Sequence, residues 1–95
     1  MTKRLDFKPE GCKLLRVEIE LEGELVLRAF VRGDFFAHPE EAFEAAEAAL
    51  AGSSRSSLAE AARASFSRSG LTLHGVNADA IADTLARTLD AAPLP

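Results

Sequence analysis

Residues Lys13 to Gly23, "KLLRVEIELEG", alternate in kind: Leu15, Val17, Ile19 and Leu21 are apolar, with Arg16, Glu18, Glu20 and Glu22 between and after them. A period of two marks a strand with one buried and one wet face. "LVLRAFVRG" follows, and the same alternation puts Leu25, Leu27, Ala29 and Val31 on one face with Arg28 and Arg32 on the other. Glu22–Gly23–Glu24 is short enough for a tight turn, so the two strands predict an antiparallel hairpin. On its wet face, glutamates of the first strand can meet arginines of the second. Upstream, Leu5 and Phe7 in "RLDFK" predict an added edge strand, joined through the turn "KPEG".

Past residue 38 the period lengthens. Pro39 suits a first helical position, where its missing N–H costs nothing, and Glu40 and Glu41 suit the positive end of the helix dipole. "PEEAFEAAEAALAG" then keeps Phe43, Ala46 and Leu50 on one stripe and Glu40, Glu44 and Glu47 on another, which predicts a helix stopped at Gly52 with its glutamates in solvent. "SSRSS" reads as a polar linker. "SLAE", Ser57 to Glu60, has the form of a capping box opening a second helix through about Ser69, closed by Gly70. Asn77 caps a third, with Ile81, Leu85 and Leu89 on its apolar stripe, and "PLP" ends it. Strands first and helices after predict an α+β domain. The expected architecture is a hairpin or three-stranded antiparallel sheet covered by about three helices, a single domain over residues 1–95. The helices are rich in alanine, so Leu, Ile, Val and Phe must supply most of the core.

Charge and cysteine usage narrow the function classes. The formal net charge is −4, whereas nucleic-acid binding draws most of its affinity from a basic face that neutralises phosphates. The one cysteine, Cys12, makes no internal disulfide and no zinc site without other ligands. His38 and His74 show no metal-ligand spacing. "MTKRLDFKPEG" lacks the apolar run of a signal peptide, and no stretch reaches the ~20 apolar residues needed to cross a bilayer. The expectation is a cytoplasmic protein that meets neither nucleic acid nor membrane.

The corner "VRGDFFAHPEEA", Val31 to Ala42, holds two of the six phenylalanines between a strand and a helix. Neighbouring side chains in extended backbone point opposite ways. One of Phe35 and Phe36 is thus expected in the core and the other at a contact, with Asp34 bonding nearby amides. Lys8, Lys13, Arg16, Arg28 and Arg32 gather in the strand region and the acids in the first helix. That asymmetry suits a salt-bridged sheet face, or a basic rim turned toward a phosphate-bearing ligand held by a partner. No phosphate-binding loop, dinucleotide fingerprint, CxxC pair or serine nucleophile elbow is present. The residues by themselves therefore point to a binding module with no active site of its own.

In order, Lys8, Gly11, Lys13, Gly33, Asp34, Phe35, Phe36, Pro39 and Glu40 resemble the accessory domain of lipoate–protein ligases. That domain has a Lys-x-x-Gly-Gly-Lys turn, a hairpin, and Gly-Asp-Phe-Phe leading into a helix that begins near Pro-Glu. The match covers residues 8 to 52; from 53 to 92 only the helix–glycine–helix outline agrees. With Met1 just before the pattern, the chain resembles the form of that domain found as a separate small subunit. The resemblance implies a fold related to sulfur-acceptor and iron–sulfur scaffold proteins. It also implies a non-catalytic subunit paired as a heterodimer with a catalytic ligase subunit, which carries lipoate, ATP and Mg and needs this chain for the ATP-dependent activation of lipoate to lipoyl-AMP in protein lipoylation. This chain would carry no cofactor and would meet lipoyl carrier domains only indirectly. Gly11, Lys13, Gly33, Asp34, Phe35 and Phe36 are the residues so marked for the partner or for completing its site. Cys12 stands where the family tends to have a second glycine, so a left-handed backbone there would be strained by about 1 kcal/mol. The alternative is a sulfur-acceptor or scaffold-like protein using Cys12, or an adaptor unrelated to lipoate.

Overall fold

A computed structural model describes all 95 residues. The long hairpin is its frame: β2 (Leu15–Glu22) pairs antiparallel with β3 (Leu25–Gly33). Leu15, Val17, Ile19 and Leu21 are buried as their alternation requires. β1 (Thr2–Phe7) pairs antiparallel with the other side of β2, giving the sheet order β1-β2-β3, so the expected edge strand is present.

The face assignment of β3 needs a correction. Register runs Val17↔Val31, Ile19↔Ala29 and Glu20↔Arg28, then slips so that Leu21 faces Val26. The slip leaves Leu27 as the extra residue of a β-bulge, and a bulge reverses the inside–outside parity on its far side. Val26 is therefore buried, whereas Leu25 and Leu27 are exposed. Leu25, Val26 and Leu27 are all apolar, so parity left no mark on the sequence there.

Three helices cover one face of this sheet: α1 (Glu40–Ala48), α2 (Leu58–Phe66) and α3 (Ala78–Leu89). α3 lies on β1 and β2, α1 on β3, and α2 packs chiefly against α3 and also against α1. Phe43, Ala46, Leu50, Leu58, Phe66, Ile81, Leu85 and Leu89 meet the strand residues in one core. At its edge, Lys3 is buried on β1 and its Nζ donates to the Leu89 carbonyl at 2.5 Å, a cation set at the negative end of α3. Asn77 caps α3 as anticipated, its side-chain oxygen accepting from the Ala80 N–H at 2.7 Å.

Helix starts differ from expectation in two places. Pro39 is the N-cap of α1 rather than its first residue, and its carbonyl accepts from the N–H groups of Ala42 and Phe43. The capping box at Ser57 is not formed: its Oγ bonds with Ser54, which leaves the start of α2 without a side-chain cap. α2 ends at Phe66, three residues before Ser69. The serine-rich stretch is also more than a linker. Val26 N–H donates to the Ser53 carbonyl and Gly52 N–H to the Val26 carbonyl, so the chain after α1 covers the outer edge of β3.

A second, two-stranded sheet was not anticipated. β4 (Phe36–His38) pairs antiparallel with β5 (Thr72–His74), with Phe36 opposite His74 and His38 opposite Thr72. Three-residue strands are too short to show a period. No helix is long and apolar enough to cross a membrane.

Candidate functional site

Three stretches distant in sequence meet at one end of the hairpin: Gly11–Leu14 before β2, Gly33–Phe36 from the end of β3 to the start of β4, and His74–Val76 from the end of β5 onward. Asp34 N–H donates to the Leu14 carbonyl at 3.1 Å, and Lys13 N–H donates to the Gly75 carbonyl at 2.7 Å. Two glycines permit this closeness. A Cβ on Gly33 would stand 2.1 Å from the Leu14 carbonyl oxygen, and one on Gly75 would stand 2.9 Å from Lys13 Cγ and 3.6 Å from Phe35 Cα. Lys13, Gly33, Asp34 and Phe35 are thus brought together, with Gly11 in the turn leading to Lys13. Gly75 and His74 belong to the same corner; in the sequence His74 stood out only as a possible metal ligand and Gly75 not at all, although its place two residues before the Asn77 cap was an available sign.

The two phenylalanines part as extended backbone dictates. Phe35 points inward, its ring 5.6 Å from that of Phe43, which lies 5.3 Å from Phe66, so three tilted rings lead into the core. Phe36 points outward and is 76% exposed. Asp34 holds the corner through its own N–H, while its carboxylate makes no hydrogen bond. That replaces the expected bonding of amides by its side chain.

Beside Phe36 lies a cleft of about 320 Å³ between the end of β3, β4 and α1. Phe35 and Phe43 give it its apolar side, fully buried Val31 borders it, and Arg32, Glu40 and Glu44 are its charged groups. Glu47 governs Arg32: its Oε2 accepts from the Arg32 guanidinium at 2.6 Å and from the Val31 N–H at 2.7 Å. Glu47 is only 9% exposed, which corrects its placement on a solvent face. The acid sits where an outward-turned N–H of edge strand β3 needs an acceptor.

Lys13 is exposed and forms no ion pair, and the same holds for Lys8 and Arg16. Arg28 and Arg32, also expected on a basic rim, are matched by Glu20 and Glu47. Cys12 is partly buried against the core. Its N–H donates to the Pro9 carbonyl at 3.0 Å, and Gly11, not Cys12, takes the left-handed backbone at φ +74°. The strain considered for a cysteine at this place does not arise. No three His, Cys, Asp or Glu side chains come together as a metal site needs. The corner thus presents an exposed ring, a cleft bordered by acids, and a lysine whose backbone is held by Gly75.

This corner is carried on an α+β frame. Its relationship is visible in structure: the chain superimposes on one from an archaeal lipoylation system of Thermoplasma acidophilum, described as a bi-partite lipoate protein ligase and its E2 lipoyl domain. The TM-score is 0.76 and the identity 27%, over 90% of this chain and 94% of that one. The resemblance to lipoate–protein ligases therefore extends from the motif to the fold, and beyond residue 52 into the helical half. No family model matches the sequence, and no curated protein sequence matches it.

Proposed function

We propose that this chain is the accessory component of a two-part lipoate–protein ligase, without activity alone, and that it docks on a catalytic subunit as a heterodimer. The observation that carries this reading is the likeness over nearly the whole length of both chains to a component of an archaeal lipoylation system. Lipoate, ATP and Mg belong to the catalytic subunit in this account, and lipoyl carrier domains are met only through it. The complex works in the cytoplasm.

Activation of lipoate joins its carboxylate to the α-phosphate of ATP and releases pyrophosphate. An anion must therefore attack a polyanion, so alignment and charge neutralisation dominate the barrier. Lys13 is the group of this chain assigned to that charge. Its ammonium has no carboxylate partner, and its backbone is anchored by Gly75 at 2.7 Å. Gly33 lets the corner close on Leu14, and the Asp34 N–H holds it closed. Lys13→Ala should slow lipoyl-AMP formation roughly tenfold or more while the dissociation constant for the catalytic subunit stays nearly the same. Equal loss in rate and in binding would make Lys13 an interface residue only. Titration calorimetry and single-turnover adenylation on the same preparations separate the two.

A further inference from the structure

Phe36 is the most exposed large apolar side chain of the protein. Single apolar residues on a surface are ordinary, but this ring lines a cleft together with Phe35 and Phe43. The charges around it do not cancel. Arg32 is matched by Glu47 at 2.6 Å, whereas Glu40 and Glu44 form no ion pair. An apolar wall beside two unmatched carboxylates and a projecting ring is complementary to an apolar side chain with a cation beside it.

We propose that this cleft seats a segment of the catalytic ligase chain that presents one apolar side chain to Phe36 and a lysine or arginine to Glu40 and Glu44. The inference rests on the reading of the chain as a ligase accessory component. It adds the place of contact and the chemistry of what binds there. Phe36 supplies the desolvated anchor on which interface affinity concentrates, and the glutamates speed encounter and set register. Docking here also bears on Lys13. Phe35 lines the cleft, and its backbone also lies close to Gly75, on which Lys13 packs. A partner in the cleft is therefore one residue away from the corner that holds Lys13.

The test titrates the catalytic lipoate–protein ligase chain of the same organism with this protein. Phe36→Ala is expected to weaken binding about tenfold or more. The double reversal Glu40→Lys with Glu44→Lys is expected to weaken it about tenfold, mainly through slower association, and to reduce its salt dependence. Glu22→Lys with Glu24→Lys changes net charge equally at the opposite end of the hairpin, and should leave affinity within about twofold. All these side chains are exposed, and unchanged circular dichroism confirms that the variants fold. If wild type binds and the cleft variants bind as tightly, the cleft is not the seat, although the accessory reading stands. If wild type does not bind, that reading fails and the proposal with it. A homodimer in sedimentation that Phe36→Ala dissolves would assign the cleft to a second copy and overturn the proposal.

Discussion

At the scale of single residues, two glycines of the GxK and GDFF stretches serve different physical ends. Gly11 needs only its backbone conformation: it sits at φ +74°, and a side chain there would meet nothing within 4 Å. Gly33 needs the absence of a side chain, because a Cβ would fall 2.1 Å from a backbone carbonyl oxygen that cannot swing aside. Gly11→Ala is thus expected to cost about 1 kcal/mol. Gly33→Ala is expected to cost about 2 kcal/mol or more, since backbone must move. Urea denaturation of both variants checks the order; equal losses would show that the close approach at Gly33 contributes nothing. Both glycines stand out in the sequence, but only the fold shows which atoms they make room for.

At the scale of elements, edge strand β3 shows how an apparent solvent acid becomes structural. Its Val31 N–H faces away from β2, and α1 supplies the missing acceptor through Glu47. Glu47→Ala leaves that buried N–H unpaired and frees Arg32, an expected loss of about 1–3 kcal/mol. Glu47→Gln keeps an acceptor for Val31 and should lose less. The ranking is read from urea midpoints, and an Arg32→Ala double-mutant cycle gives the share due to the ion pair. Equal destabilisation by both substitutions would mean that the charge, not the acceptor, matters. The same scale shows what was legible in the sequence. β2 is clean because its buried face is uniformly apolar. α3 is clean because Ile81, Leu85 and Leu89 recur every fourth residue and Asn77 marks a start, although Thr84 and Thr88 are buried beside them with their hydroxyls bonded to helix carbonyls. The bulge was hidden in "LVL", where every residue is apolar. Glu47 was hidden because a helix with alanines on several sides does not reveal which edge meets a strand. Ser57 misled because Ser54 competes for the same hydroxyl.

Across the whole molecule, the unpaired Lys13 and the unpaired Glu40 and Glu44 come from the two regions of opposite charge. Lys13 projects from the loop before β2, and Glu40 and Glu44 from the first turns of α1, with the Phe35–Phe36 pair between them. Phe35 ties this corner to the core through Phe43 and Phe66, so the site rides on the packed body of the domain. The motif residues from 8 to 40 announced that corner, but Gly75 and β5 arrive from the other half of the chain. Their part in it follows from the pairing of β4 with β5, which no local pattern encodes.

The proposed role, enabling a partner to activate lipoate, is tested first by lipoyl-AMP formation from ATP and lipoate by the catalytic subunit of the same organism. Product should appear when both chains are present and be absent or greatly reduced when either is left out. Full activity of the catalytic subunit alone, unchanged on adding this chain, would contradict that role.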